Sequence, residues 1–209
     1  MFFLIMVVLF VQVSFAQADL VTGFRPDPEE CYIIARGTRS KQAFISERFN
    51  IINDSITHIG IGITTDSGFR IFNVNPVRAG NALFVEDLDT YFGQPDLVYA
   101  GIWQLMPGNG DKMLFMDSLR KGIDAKVSFD NGFMIDSNIN TLYCSEYCWR
   151  MTNLLGPDFW FDPREIDTVP LGLDGILGRE SLLYIPVDYF LSLEGLRYCG
   201  SWSDKNFKF

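Results

Sequence analysis

The chain contains one histidine, His58, so any imidazole chemistry must use that side chain. His58 lies in the segment 57–63, whose strict alternation predicts a strand with its three isoleucines on one face. His58, Gly60 and Gly62 then share the other face. Glycines inside a strand often mark the close approach of another backbone or a ligand. The pattern predicts a groove beside the imidazole, although a lone histidine on a strand is more often structural.

The next predicted strand could supply a partner for His58. Segments 57–64 and 69–75 flank residues 66–68, Asp-Ser-Gly, which signal a hairpin turn. If the turn holds an even number of residues, Asn73 and Asn75 share the face of His58. An Asn amide can accept from one imidazole N–H and fix its tautomer. If the turn holds an odd number, apolar side chains of that strand face His58 instead.

A second reactive side chain, Cys144, stands at the start of a buried helix predicted over residues 144–155. A helix N-terminus offers unpaired N–H groups and partial positive charge, which stabilise a thiolate and can receive an oxyanion during acyl transfer. A thiolate that faces a histidine is the arrangement a cysteine hydrolase needs. The alternative is that Cys144 is a small buried hydrophobic residue, the usual fate of a free cysteine.

Two neighbours of Cys144 are weaker candidates for substrate binding. Glu146 lies in the first helical turn, where a negative charge suits the helix dipole, but in a cleft it could bind a substrate ammonium. Tyr143 could line the cleft, although aromatic residues in such places are more often core. A structural zinc site fits poorly, because there is a single histidine and no Cys-x-x-Cys pair, and no cofactor is implied.

Apolar periodicity predicts the elements that must position these residues. Strands are expected at 31–35, 57–64, 69–75 and 97–105, within 182–190 and near 196–199. Helices are expected around 44–49, after Asp111 and over 144–155, the last of which ends at Gly156. The stretch 158–180 is punctuated by Gly and Pro and is predicted to be mostly loop. The whole is predicted to be one α+β domain with a mainly antiparallel sheet.

Charge and the N-terminal segment limit the function further. The 17 Lys and Arg against 26 Asp and Glu give a net charge of −9, which argues against a nucleic-acid surface. An apolar run over residues 2–13 predicts a signal peptide over 1–16, with cleavage after Ala18 as a second fit, and one domain over 17–209. The run is too short for a membrane span of about 20 residues. The protein is therefore expected to be secreted or periplasmic, with a buried N-terminal strand as the alternative.

Several short motifs resemble one family. Segments 57–61 (Thr-His-Ile-Gly-Ile), 70–75, 129–130 (Phe-Asp), 143–146 (Tyr-Cys-Ser-Glu) and 185–188 are similar to the permuted papain-like amidases of the NlpC type, in the YiiX/YebB-like branch. The resemblance spans residues 31–189, and Tyr-Cys-Ser-Glu is its most specific element. In this branch the histidine precedes the cysteine, as His58 precedes Cys144.

The resemblance implies a role for each matching position. Cys144 matches the nucleophile and His58 the general base, while the third polar position, often Glu in this branch, falls on Asn73, with Asn75 as its rival. An Asn can orient the imidazole but cannot offset the imidazolium charge, so an inactive site stays open as an alternative. Asp130 either positions the loop before Cys144 or has a structural role.

Three further cysteines need an interpretation in an exported protein, because the compartment is oxidising. Cys31 and Cys199 are the expected disulfide pair, since their pairing would spare the nucleophile. Cys148 lies one helical turn beyond Cys144 and is expected to pack inside.

The patterns predict an α+β fold with an antiparallel sheet packed against helices, and the resemblance implies that it is circularly permuted and papain-like (NlpC-type). The expected function is an exported cysteine hydrolase that cleaves amide bonds, with cell-wall peptides as an implied substrate class, through a thioester on Cys144. A lipid thioesterase or acyltransferase is one alternative, which a wide apolar cleft would favour over a narrow polar one. A non-catalytic exported binding module with four structural cysteines is the other.

Overall fold

The computed structural model describes residues 23–76, 80–106, 112–122, 126–135, 138, 140–169 and 174–204. Within them the central feature is a six-stranded sheet in which every neighbouring pair runs antiparallel. The strands, in the order in which they lie side by side, are β10 (Leu196–Ser203), β5 (Leu97–Leu105), β1 (Cys31–Thr38), β2 (His58–Thr65), β3 (Gly68–Val74) and β4 (Leu83–Glu86).

Helices and two small strand pairs surround this sheet. The helices are α1 (Lys41–Phe49), α2 (Leu88–Phe92), α3 (Lys112–Gly122), α4 (Cys144–Thr152) and α5 (Asp174–Leu177), with single 3₁₀ turns at Asn153–Leu155, Pro157–Phe159 and Tyr189–Ser192. Strand β6 (Ser128–Phe129) runs parallel to β7 (Thr141–Leu142), and β8 (Arg164–Ile166) runs antiparallel to β9 (Leu182–Tyr184). The predicted α+β class with an antiparallel sheet is confirmed.

Both faces of the sheet carry an apolar core, because β1 and β5 are buried along nearly their whole length. On one face the three isoleucines of β2 pack with Phe115 of α3 and Cys148 of α4. On the other face Tyr91 and Phe92 of α2 cover Ile34 of β1. Strand β2 therefore lies between two packed layers, and His58, its first residue, is buried.

The β2–β3 hairpin sets the register of the candidate site. Its turn holds two residues, since Thr65 pairs with Gly68. Gly68 has a φ of +97°, a backbone conformation that glycine adopts without steric cost. An even turn places Asn73 and Asn75 on the face of His58, so this alternative of the sequence prediction is confirmed.

Element boundaries differ from the predicted ones in several places. The sequence pattern does not predict β4, and the stretch 158–180, predicted to be mostly loop, also contains β8 and α5. Helix α1 begins earlier than expected because the Ser40 hydroxyl accepts the Ala43 N–H at 3.2 Å and caps the helix. The predicted signal segment 1–16 and Asp111 lie outside the described residues. None of the helices in the described part of the chain is both long and apolar enough to span a bilayer.

Candidate active site

Cys144 is the first residue of α4, as predicted, and only 6% of it is exposed. Its thiol lies close to the backbone N–H groups of Ile59 and Ser145, which favour the thiolate. Burial is the largest influence, however, and it raises the pKa of the thiol above its usual value. The expected stabilisation by the helix start is present, but burial outweighs it, and Cys144 rests as a neutral thiol.

His58 is held by a chain of side-chain hydrogen bonds. Its Nε2 lies 3.0 Å from Oδ1 of Asn73, and Nδ2 of Asn73 donates to Oε2 of Glu86 at 2.9 Å. Because Glu86 occupies the amide nitrogen, Asn73 presents its carbonyl oxygen to the ring, and that oxygen can only accept. Nε2 must therefore carry the proton, which leaves Nδ1 of His58 as a proton acceptor.

A buried cation completes this network. Arg36 lies opposite His58 across β1 and β2, and its guanidinium donates to the Tyr91 carbonyl oxygen at 2.7 Å and to Oδ1 of Asn75 at 3.3 Å. Asn75 in turn donates to Oδ1 of Asn73. The Asn73 amide is thus fixed from two sides, by Asn75 and by Glu86.

The electrostatic effect of this arrangement is to keep the imidazole neutral. Burial, followed by the positive charge of Arg36, lowers the pKa of His58 to about 3, against a smaller raising effect of the hydrogen bond to Asn73. The same guanidinium favours the charged form of Cys144. At neutral pH the site thus combines an uncharged base and an uncharged thiol with the Arg36 guanidinium.

His58 and Cys144 line one cavity of about 320 Å³, which we call the chamber. No hydrogen bond joins the two side chains in the described structure. Most residues around the chamber are polar or charged. Besides His58 and Cys144, the polar and charged ones are Arg36, Thr38, Ser40, Ser46, Thr57, Asn75, Glu86, Gln94 and Asp96, and the apolar ones are Ala43, Pro76, Phe129 and Phe133. The chamber is therefore of a kind that hydrogen-bonding ligands fit better than aliphatic chains.

The groove predicted beside the glycines of β2 is not formed. A Cβ atom on Gly62 would lie 2.3 Å from the Phe69 ring, and one on Gly60 would lie 2.8 Å from the Ile71 side chain. These side chains of β3 fill the space that the glycines leave, so Gly60 and Gly62 serve close packing. Only the His58 end of that face opens into the chamber.

Neither of the two predicted substrate-binding residues is among the described residues that border the chamber. Glu146 is fully buried, and its Oε1 accepts from Arg150 on the same helix at 3.0 and 2.6 Å. Tyr143 is also buried, and its hydroxyl accepts the Ile185 N–H at 2.8 Å. The structure therefore places Glu146 in an ion pair and Tyr143 in the wall behind Cys144.

The expected disulfide is wrong, because Cys31, Cys144, Cys148 and Cys199 are all free. Cys31 is buried in the core on the α4 side of the sheet, whereas Cys199 is exposed beside Tyr32 on the opposite face, and β5 separates their strands. Cys148 packs inside, as predicted.

Sequence reasoning missed Arg36 and Glu86. Arg36 is a charged residue at the end of an otherwise apolar segment, which was a usable signal for a buried function. Glu86 is the last residue of the short strand β4, and the sequence pattern does not show that β4 pairs with β3. Asp130 proves to be a loop residue that binds backbone: its carboxylate accepts from the N–H groups of Gly132 and Met134 at 2.8 and 2.6 Å.

Comparisons with known proteins bear on the fold. No protein-family model matches the chain, and no curated protein matches it. A solved structure, described as the metalloprotein YiiX from Escherichia coli O157:H7, is similar with a TM-score of 0.57 at 14% identity, over 85% of this chain and 99% of that one. In the described part of this chain, no group of three or more His, Cys, Asp and Glu side chains is placed to hold a metal ion. The chain has a YiiX-like fold.

Proposed function

We propose that the protein is an exported cysteine hydrolase that cleaves amide bonds, with Cys144 as nucleophile, His58 as general base and Asn73 as the residue that orients the imidazole. One observation carries the proposal: a thiol at a helix start and an imidazole with a fixed tautomer open into the same chamber. The His-before-Cys order and the YiiX-like fold agree with a circularly permuted papain-like domain.

The chemistry begins with proton transfer from the Cys144 thiol to Nδ1 of His58. The transfer creates a thiolate and an imidazolium side by side, and their attraction opposes the cost of burying either charge alone. Arg36 favours the thiolate. The Asn73–Glu86 hydrogen bond offers an indirect link from the imidazolium to a carboxylate, which compensates in part for an Asn at the third position.

The thiolate then attacks the amide carbonyl, and the N–H groups near the start of α4 and at Ile59 are available to the developing oxyanion. The imidazolium returns its proton to the leaving amine, which departs as the thioester forms. Water, deprotonated by His58, hydrolyses the thioester and releases the acid and the free thiol.

The polar chamber favours peptides over lipids as substrates. Its side chains offer hydroxyl, amide and carboxylate groups from Thr57, Asn75, Glu86 and Asp96. A long acyl chain would gain little there, because its transfer from water requires apolar walls. Cell-wall peptides remain a proposed class, as does export, which depends on a segment outside the described residues.

Hydrolysis of a mixed set of N-acetyl-peptide p-nitroanilides tests the proposal. Release of p-nitroaniline should fall below detection in Cys144→Ala and persist in the matched Cys148→Ala, whose thiol lies one turn further along the same helix. Equal activity in Cys144→Ala and the wild type would refute the assigned nucleophile. Cleavage of long-chain acyl esters without any amide cleavage would favour the lipid alternative.

A further inference from the structure

A second, smaller cavity also borders Cys144, and neither His58 nor Asn73 is among the described residues that line it. This recess has a volume of about 20 Å³ and is walled by Phe49 of α1, by Phe133, and by the segment 184–187. It meets the chamber at Cys144, Ser46 and Phe133, which border both cavities. A substrate that reaches the Cys144 sulfur therefore lies between a polar chamber and a small apolar recess.

The hydroxyl groups of three wall residues already have protein partners. The Tyr143 hydroxyl accepts the Ile185 N–H at 2.8 Å, and the Ser145 hydroxyl donates to the Ile185 carbonyl at 2.7 Å. The Tyr184 hydroxyl donates to the Phe49 carbonyl at 2.8 Å. The remaining walls are mainly the apolar side chains of Ile45, Phe49, Phe133, Pro186 and Val187. A polar ligand group in the recess would lose its water and gain few partners in return, so an apolar group fits best.

The same hydrogen bonds make the recess stiff. They tie the segment 184–187 to the start of α4 and to the end of α1. Asp188 adds a further tie, because its Oδ2 accepts the N–H groups of Ile51 and Asn53, each at 2.8 Å, and that of Ile52. A wall fixed at both ends does not yield readily to a larger occupant.

Phe133 stands at the junction of recess and chamber in an unusual conformation. Its φ is +51°, which is uncommon for a bulky residue and costs energy. The Asp130 carboxylate holds it there by accepting from the N–H groups of both flanking residues, Gly132 and Met134. The Phe133 ring packs against Tyr143 with ring centroids 5.4 Å apart. Backbone strain is thus stored where the recess opens.

We propose that the recess is a specificity subsite that admits a side chain of one carbon, and that Phe133 sets this limit. The inference rests on the proposed nucleophile Cys144. In an amide substrate, the side chain nearest the attacked carbon belongs to the residue that carries the carbonyl. A cavity needs about 10–15 Å³ to hold one water-sized group, so the recess holds a methyl group and not an isopropyl or benzyl group. Alanine is the residue that fits.

Alkylation by N-acetyl-aminoacyl chloromethyl ketones tests the subsite without requiring turnover. The Cys144 thiolate forms a bond to the methylene carbon while the carbon–chlorine bond breaks and chloride leaves. We expect the alanine reagent to react roughly fourfold faster than the glycine reagent, because burying one methyl group in the recess stabilises the reacting complex by that factor. The valine and phenylalanine reagents should react at least ten times more slowly than alanine, measured as second-order rate constants by peptide mass spectrometry.

Variants distinguish an effect of the recess on the reagent ranking from a general loosening of the fold. Phe133→Ala should raise the valine-to-alanine rate ratio at least fivefold, and Val187→Ala, which enlarges another wall, should raise it too. Phe69→Ala removes a ring of the same size from the other face of the sheet and should leave the ratio unchanged. Should valine react as fast as alanine in the wild type, the size limit is refuted.

The outcome is separable from that of the proposed function. Iodoacetamide is too small to be affected by the size of the recess, so its reaction with Cys144 measures the reactivity of that thiol independently of the subsite. If anilides are cleaved but the reagent ranking is flat, the subsite is wrong and the hydrolase stands. If the ranking is found but no amide is cleaved, the subsite stands and the hydrolase is refuted.

Discussion

Neutral His58 makes the stability of the protein depend on pH below about 6.5. In the folded protein the pKa of His58 is lowered to about 3, whereas in the unfolded chain it returns to its ordinary value of 6.5. As the pH falls below 6.5, the imidazole of His58 therefore becomes protonated in the unfolded chain but stays neutral in the folded protein. Acidification then favours unfolding.

The size of the effect follows from these two values. Between pH 7.5 and pH 5 the unfolded imidazole becomes almost fully protonated while the folded one stays neutral. One pKa unit corresponds to about 1.36 kcal/mol, so the free energy of unfolding should fall by about 2 kcal/mol over this interval. His58 is the only histidine, so no other imidazole contributes.

Urea-induced unfolding, followed by the fluorescence of the four tryptophans, measures this difference. The matched control is His58→Gln, which cannot titrate and keeps every carboxyl group of the wild type. Its free energy of unfolding should change by less than about 0.5 kcal/mol between pH 7.5 and pH 5. If the two proteins lose the same amount on acidification, His58 is not held neutral and the assigned electrostatics of the site are wrong.

Other substitutions test the hydrogen bonds and packing around the site. Glu86→Ala removes one of the two contacts that fix the Asn73 amide, so Cys144 alkylation should slow several-fold, whereas Glu86→Gln, which keeps an acceptor for Asn73 but loses the charge, should slow it less; equal rates in both variants would contradict the role of Glu86. Asp188→Ala leaves three backbone N–H groups without their acceptor. It should lower the free energy of unfolding, measured by urea denaturation, by about 3 kcal/mol. A loss below about 1 kcal/mol would show that these hydrogen bonds contribute little to stability. Gly60→Ala places a Cβ 2.9 Å from a backbone oxygen of β3 and should cost roughly 1–3 kcal/mol, while Gly122→Ala, with open space around it, should be tolerated; the reverse order would refute the packing argument.

The parts of the site that a sequence can predict are those set by local periodicity. Alternation in β2 and a two-residue turn fix which residues of β3 share the face of His58, so the Asn73 contact follows from counting. The start of α4 at Cys144 follows from helical spacing in the same way.

The missing parts come from pairings that are distant along the chain. Arg36 and Glu86 reach the site from β1 and β4, and the order of strands in a sheet is not encoded in the pattern of any one strand. The groove expected along the glycines of β2 was a wrong prediction for a related reason. Alternation shows that a face lacks side chains of its own, but not that Phe69 of the neighbouring strand covers it.

The central claim is that His58 activates Cys144, and alkylation by iodoacetamide from pH 5 to 9 tests it most directly. Cys199 is exposed and free, so it serves as an internal reference in the same peptide mass spectra. In the wild type, the labelling rate of Cys144 should vary little between pH 5 and 9, because His58 stays neutral over this range and accepts the thiol proton directly. His58→Ala should slow Cys144 at least tenfold and leave Cys199 unchanged. A Cys144 that is inert at every pH, or that labels equally fast without His58, would contradict the account.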